Sequence, residues 1–238
     1  MRLPGRCLLL LGLMAAWAGA QASVCHPGRH LGPAQKGRCE EKREPAGQRP
    51  RLVVFLRPGP PLQVRVCRRS GGRLRAVAPR LSYRHQGKMA SAADIDEDGR
   101  LDLLVLVHKK TRHDPQPGWR PFVYTLREGR WVPKWLGSRV GRPLEEAAFV
   151  QAPEGPRLLT IERFAPEQSV LTLYHWRGFG FWGEWTGEPT GPLRGLQVSD
   201  DDGDGVDEVS AIDPGGRRRC LEFRDGGCFE IQSGGTDP

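Results

Sequence analysis

The sequence predicts an all-β fold built from short antiparallel strands. The 238 residues include 31 glycines and 21 prolines, and such a turn-rich composition favours many short strands over long helices. Apolar runs of strand length recur along the chain, and a hydrophobic content of 38% is enough to form a packed core. Two of these runs follow directly after dense clusters of acidic residues, and these clusters direct the functional interpretation.

One strand pattern occurs four times, at intervals of about 50 residues. The four copies read RLVVFL, DLLVLV, RLLTIE and EVSAI, and they begin at Arg51, Asp102, Arg157 and Glu208. A second predicted strand and a turn follow each copy, and then a third strand such as RWVPKW or FWGEW. A repeat of this length is typical of propeller blades, which bury their faces only by stacking. We therefore expect about four blades of three or four antiparallel strands, in a small or partial β-propeller.

The N-terminus has the features of a secretory signal peptide. Arg2 and Arg6 precede an apolar core, Cys7–Trp17, which is followed by small residues that suit cleavage. This core is too short to span a membrane comfortably, and no later segment approaches 18 apolar residues. We expect an exported protein, periplasmic or extracellular, without a membrane span. The predicted segments are a signal peptide (1–22), an N-terminal cysteine-containing segment (23–48), the repeats (49–232) and a flexible tail (233–238).

Export makes the remaining cysteines candidates for disulfides. Cys25 and Cys39 close a short polar loop, and Cys220 and Cys228 flank a tight turn, which leaves Cys67 as the odd cysteine. Lipidation of Cys25 is the alternative that leaves an even number. Zinc binding near Cys25 is a further alternative, but a fourth ligand and finger spacing are missing.

Two acidic loops share one spacing of carboxylates. In the first acidic loop, DIDEDGRLD (94–102), acids occupy positions 1, 3, 5 and 9 and a glycine occupies position 6. The second acidic loop, DDDGDGVDE (200–208), repeats this spacing. The acids at positions 1, 3, 5 and 9 are Asp94, Asp96, Asp98 and Asp102 in the first loop, and Asp200, Asp202, Asp204 and Glu208 in the second.

Carboxylates this close repel each other, and a hard cation removes that cost. Calcium takes six to eight oxygen ligands in a flexible shell, so alternating acids that turn inward suit it. Glycine at position 6 permits a sharp turn with positive φ. The backbone carbonyls of Arg100 and Val206, at position 7, are further predicted ligands. The loops differ from EF-hands because Val105 and Ala211 occupy position 12 and a strand follows instead of a helix.

DIDEDGRLDLLVL and DDDGDGVDEVSAI resemble the calcium loops of VCBS/FG-GAP repeats, the blades of integrin-type propellers. The resemblance covers about residues 50–232. It implies that the acids at positions 1, 3, 5 and 9 of each loop are calcium ligands and that Lys88–Ala93 and Leu196–Ser199 are inner strands. Glu208 departs from the usual Asp, and the corresponding loops of the first and third repeats, EPAGQRPR and APEGPR, lack the acids. We expect two structural Ca²⁺ sites and no metal in those two repeats.

The expected function is that of an exported, non-catalytic binding or scaffold protein whose partner is a protein or a glycan. No GxSxG, HExxH, P-loop or GxGxxG motif is present, so an enzyme is not expected. The formal net charge of +8 supports an alternative, a polyanion-binding module that uses an arginine-rich surface. A small secreted hydrolase is the second alternative. An open propeller would expose strand edges, so a homodimer is a further possibility.

Overall fold

A computed structural model describes residues 22–25, 52–57, 60–70, 73–224 and 226–230 of the chain. These residues form seventeen strands and no helix, which confirms the all-β prediction. Within them, no helix that could cross a membrane is found. The predicted signal peptide up to residue 21, most of the cysteine-containing segment and the predicted tail lie outside the described residues.

The strands form three sheets. The first sheet contains β1 (Ala22–Cys25), β2 (Leu52–Arg57), β3 (Leu62–Ser70), β4 (Arg73–Ala76) and β5 (Leu81–Tyr83). The second sheet contains β6 (Gly87–Ala93), β7 (Asp102–Lys109), β8 (Gly118–Arg127), β9 (Arg130–Leu136), β10 (Leu144–Ala152), β11 (Gly155–Ala165), β12 (Gln168–Trp176) and β13 (Phe181–Thr186). The third sheet contains β14 (Arg194–Ser199), β15 (Glu208–Ile212), β16 (Arg218–Arg224) and β17 (Gly227–Glu230).

Three successive four-stranded antiparallel meanders account for twelve of these strands. We call β6–β9 the second meander, β10–β13 the third and β14–β17 the fourth, because the first sheet precedes them. A single pair, Leu144 with Trp119, joins the second and third meanders into one eight-stranded sheet. The first strands of the meanders lie side by side, since β10 contacts both β6 and β14.

The first sheet differs from the meanders in its opening strand. β1 runs parallel to β2, and Ala22 is opposite Leu52. β1 also contacts β6 and β14, so it lies between the first strands of the second and fourth meanders. The 26 residues that separate β1 from β2 along the chain explain why no first strand is evident next to the first repeat in the sequence.

Strand β7 shows why the core requires stacked sheets. All six residues from Asp102 to Val107 are buried, so both faces of the strand are covered. Leu103 and Val105 pack with Leu52 of the first sheet, whereas Leu104 and Leu106 pack with residues of the third meander. Alternate residues of a strand point to opposite faces, so one continuous apolar run fills two cores.

The four repeated strand patterns lie in β2, β7, β11 and β15, and the predicted strands Lys88–Ala93 and Leu196–Ser199 lie in β6 and β14. The candidate disulfide between Cys220 and Cys228 is not formed, because Cys220 is a free, exposed thiol. The strand register explains this, since Cys228 lies opposite Phe223, three residues along β16 from Cys220. Cys67 is free and buried, and Cys39 lies outside the described residues.

Candidate metal centre

Both acidic loops join the first two strands of a meander. The first acidic loop connects β6 to β7, and the second connects β14 to β15. In each hairpin, the residue before position 1 is paired with the residue at position 9: Ala93 with Asp102, and Ser199 with Glu208. The two acidic loops therefore share their strand register as well as their spacing of carboxylates.

The two loops share two hydrogen bonds at the same positions. The position-9 carboxylate accepts from the position-2 amide, with Ile95 N 3.2 Å from Asp102 Oδ2 and Asp201 N 2.5 Å from Glu208 Oε2. The longer side chain of Glu208 thus makes the same closing contact as an aspartate. The position-5 carboxylate accepts from the position-7 amide, and this bond is 2.9 Å long in the first loop and 2.7 Å in the second.

The glycines at position 6 adopt the backbone conformation that the sequence predicts. Gly99 has a φ of 82° and Gly205 has a φ of 95°, in the left-handed region that side chains disfavour. Gly203 in the second loop also has a positive φ, of 82°. The glycine prediction is therefore confirmed in both loops.

In the first acidic loop, three carboxylates converge. Oxygens of Asp94, Asp96 and Asp102 lie within 4.8 Å of one another. Asp94 accepts hydrogen bonds from the amides of Asp98 and Gly99 at 3.0 and 2.8 Å, and burial raises its pKa. These hydrogen bonds fold the loop around the carboxylate of Asp94.

A lysine from β9 enters this carboxylate cluster. Lys134 Nζ lies 2.7 Å from Asp96 Oδ1 and 2.8 Å from Asp102 Oδ2. The contact with Asp102 has hydrogen-bond geometry, whereas Asp96 Oδ1 is a buried atom without a hydrogen bond, so its contact with Lys134 is an ion pair only. The ammonium group supplies a positive charge at the position where the sequence predicts a metal ion.

Asp102 is the most buried of the predicted ligands, with no exposed side-chain surface. Burial raises its pKa, while hydrogen bonds from Lys134 and from Thr125 Oγ1, the latter 2.5 Å long, act in the opposite direction. A buried carboxylate needs such partners to remain charged. Its oxygens are therefore already engaged by the protein itself.

The remaining predicted ligands of the first loop lie differently. Asp98 is not part of the cluster, and its Oδ2 forms an ion pair with the exposed guanidinium of Arg100 at 2.8 Å. Arg100 was predicted as a ligand through its carbonyl, and the analogous role of Val206 in the second loop rests on the same sequence argument. Both carbonyl assignments stay predictions.

In the second acidic loop, oxygens of Asp200, Asp202 and Asp204 lie within 4.8 Å of one another. One oxygen of each is held by a backbone amide, from Gly203, Asp204 and Val206 respectively, at 2.7–3.0 Å. Within the described residues, no lysine or arginine forms an ion pair with Asp202 or Asp204. Glu208 is not part of this cluster, and burial raises its pKa.

Asp207 has a role that the sequence interpretation missed. It is buried, its Oδ2 accepts a hydrogen bond from the amide of Gln151 at 2.6 Å, and its own amide donates to the Gln151 carbonyl at 2.9 Å. Burial raises the pKa of Asp207 to about 7. This double contact joins the second acidic loop to the end of β10, a partner that local sequence does not reveal.

The donor set of the second loop fits a calcium ion better than that of the first. Two oxygens on opposite sides of a Ca²⁺ ion are separated by about twice 2.4 Å, and the spacing of both clusters allows this. In the second loop, Asp200, Asp202 and Asp204 would hold the ion. In the first loop, an ion would have to displace Lys134 from Asp96 and Asp102.

In the third meander, an arginine–glutamate ion pair occupies the position that the lysine–aspartate ion pair has in the second meander. The short hairpin of the third meander, APEGPR, carries Arg157 where the second meander has Asp102. Arg157 is buried, and its Nε and Nη2 bind the carboxylate of Glu184 on β13. The corresponding loop of the first repeat, EPAGQRPR, lies outside the described residues.

No family model, curated protein or solved structure matches the chain. The resemblance to VCBS/FG-GAP repeats therefore rests on the two loops and the repeated strands, and it stays a prediction.

Proposed function

We propose that this chain is an exported, non-catalytic binding protein of the VCBS/FG-GAP type, a small β-propeller stabilised by calcium. The observation that carries the proposal is the common geometry of the acidic loops. Both share the strand register, the closing bond from position 9 to position 2 and a glycine with positive φ at position 6. Two unrelated acidic turns would have no reason to share all three features.

The contacts of the first strands support a closed ring of four blades. β1 contacts β14 and β6, and β10 contacts β6 and β14, so each first strand has two neighbours. A ring closed by β1 leaves no blade face for a second copy to cover, which favours a monomer over the dimeric ring that the sequence also allowed. Sedimentation equilibrium tests this directly, and a concentration-dependent dimer would contradict the closed ring.

Calcium binding is assigned chiefly to the second acidic loop. Its carboxylates converge without an ion pair to Asp202 or Asp204 in the described part of the chain, whereas Lys134 forms ion pairs with Asp96 and Asp102 in the first loop. The ion would act structurally, by holding the β14–β15 hairpin closed. Extracellular calcium modules work at dissociation constants of about 10⁻⁴–10⁻³ M, which suits an exported protein.

Thermal unfolding of the mature protein in calcium and in a chelator tests this assignment. Binding to the folded state alone stabilises by RT ln(1 + [L]/Kd), about 2.7 kcal/mol when calcium is 100-fold above Kd. We expect a clear rise in Tm with calcium and a smaller one with magnesium, which demands stricter octahedral geometry. Equal melting temperatures in calcium and chelator would contradict a structural calcium site.

A further inference from the structure

A cavity of about 410 Å³ lies at the end of β7 that is opposite the first acidic loop. The end of β7, the start of β8, the segment 139–144 and Arg163 form its walls. None of the residues that line it is acidic, and all of them belong to the described chain. Four of them are arginines: Arg120, Arg139, Arg142 and Arg163.

Arg120 gives this cavity an unsatisfied buried donor. Its side chain is only 2% exposed, and its Nη2 lies 2.7 Å from Asp114 Oδ2 and 2.9 Å from the Gln116 carbonyl. Its Nε is buried and has no hydrogen-bond partner. Leaving a buried charged donor without an acceptor is costly, so a ligand acceptor that reached Nε would stabilise this side chain.

The acids that contact these arginines are too few to neutralise them. Asp114 is shared by Arg120 and Arg139, and their guanidinium groups hold its pKa at about 2, with Arg139 contributing most. The guanidinium Nη1 of Arg142 lies 3.8 Å from Glu162 Oε2, which also accepts a hydrogen bond from the Arg142 backbone amide at 3.2 Å. Glu162 is fully buried and already accepts from the Tyr174 hydroxyl at 2.5 Å.

Arg163 is paired with Glu145, and Arg120 shares Asp114 with Arg139, so three acids face four guanidinium groups, and an oxyanion would add the missing negative charge beside Arg139 and Arg142. Their side chains are 46% and 43% exposed, so both can reach a ligand from the rim. Guanidinium groups bind tetrahedral oxyanions through pairs of parallel hydrogen bonds. The cavity therefore presents two accessible guanidinium groups at its rim and a third, buried one in its wall.

The wall also contains an aromatic surface. Trp119 lines the cavity, and its ring has His108 edge-on at 5.1 Å between centroids and Lys88 Nζ 4.4 Å from its centroid. The volume lies within the range of about 300–1,000 Å³ that is usual for small-ligand sites. An aromatic wall of this size suits a sugar ring better than an isolated inorganic ion.

We propose that this cavity binds a sugar-sized ligand that carries a sulfate or phosphate group. Arg139 and Arg142 hold the oxyanion, Arg120 supplies the buried donor, and Trp119 contacts the ring. The site is separate from the acidic loops and does not require calcium.

Isothermal titration calorimetry tests the site with defined probes. These are a sulfated heparin disaccharide, glucose 6-phosphate, inorganic sulfate, inorganic phosphate and the neutral sugar lactose. We expect the anionic sugars to bind at least about tenfold more tightly than the inorganic ions, and lactose not to bind. A preference for the sulfated or the phosphorylated sugar identifies the source of the oxyanion, and no binding of either at millimolar concentration overturns the proposal.

A pair of charge-matched variants separates this site from general attraction to a basic protein. R139Q/R142Q removes the two rim cations, and R127Q/R130Q removes two charges from the turn at the other end of β8. We expect the first variant to lose at least about tenfold in affinity and the second to change less than about twofold. Equal losses in the two variants would overturn the site. Both variants are tested in calcium and in chelator, so a failure here is distinct from a failure of the calcium assignment.

Discussion

Lys134 and Glu184 occupy the same position in two consecutive meanders and carry opposite charges. In the second meander, Leu103 lies opposite Tyr124, which lies opposite Pro133, and Lys134 follows at a β-bulge. In the third, the same row is Leu158, Tyr174 and Gly183, and Glu184 follows at a β-bulge. A tryptophan, Trp135 or Trp185, comes next in both.

The bulge residue complements the charge at the start of the strand that lies two positions away in the sheet. Lys134 binds Asp102, and Glu184 binds Arg157, in each case the residue before the leucine of that row. The bulge directs the side chain toward this position because it interrupts the regular alternation of the strand. In the fourth meander, Glu230 ends the corresponding row of paired residues. The residue that follows it, Ile231, is uncharged and lies outside the described chain.

Replacement of Lys134 by methionine should make the first acidic loop depend on calcium. Removing one partner of a buried pair costs about 3 kcal/mol, because Asp102 is left buried without its counter-ion. We expect this loss in urea unfolding with chelator, and a larger stabilisation by calcium than the parent shows. Equal calcium responses of the parent and K134M would mean that the first loop does not accept the ion.

The Arg157–Glu184 pair should contribute to stability without any response to calcium. Glu184 is 38% exposed, so solvent screening limits the coupling between the two side chains to about 1 kcal/mol. A double-mutant cycle of R157M, E184Q and R157M/E184Q in urea measures this coupling. A coupling energy that changes between calcium and chelator would contradict a metal-independent third hairpin.

Loss of two carboxylates from the second acidic loop should abolish most of the calcium effect. D202N/D204N removes two of the three converging acids, while the asparagine side chains can still accept the amide hydrogen bonds. We expect Tm in calcium to fall to the chelator value of the parent, and Tm in chelator to stay within about 2 °C.

The matched control for this variant is E128Q/E167Q, which removes two exposed acids from strand-connecting turns. Its calcium response should equal that of the parent. If both double variants lose the response to the same degree, the effect comes from net charge and not from a site.

The free energy of unfolding should fall between about pH 4 and about pH 7 because of Asp207. Its folded pKa of about 7 lies above its usual value of 3.8, so the folded chain binds more protons in this interval. The stabilisation is therefore complete below pH 4 and is lost as the pH rises through 7, by up to about 4 kcal/mol.

Urea titrations of the parent and D207N across this interval, both in chelator, check this prediction. The amide side chain of the D207N variant still accepts the hydrogen bond from the Gln151 amide but cannot ionise. We expect D207N to lack the parent's downward slope, and parallel curves would show that Asp207 does not cause it.

Much of the fold follows from local patterns, whereas the partners of the site do not. Glycine at position 6 predicted the positive φ of Gly99 and Gly205, and apolar runs predicted β7 and β11, because both depend on neighbouring residues. The insertion of Lys134 between Asp96 and Asp102 depends on a register shift about 30 residues away, and no local pattern encodes it. Sequence spacing therefore predicted where the carboxylates lie but missed the cation that occupies one cluster.

The sequence by itself determined the all-β class, the four strands that carry the repeated sequence pattern, and the two loops of alternating acids. These features follow from backbone conformational preferences and from the alternation of side chains along a strand, which act over a few residues. Only the tertiary structure decided that Lys134 forms ion pairs with Asp96 and Asp102, that Asp207 joins the second loop to Gln151, and that β1 opens the first sheet. It also brought Arg120, Arg139 and Arg142 to one cavity. Such contacts depend on how strands that are distant in sequence pack against each other. The physical reason is that packing and ion pairing depend on the distance between groups in space, and not on their separation along the chain.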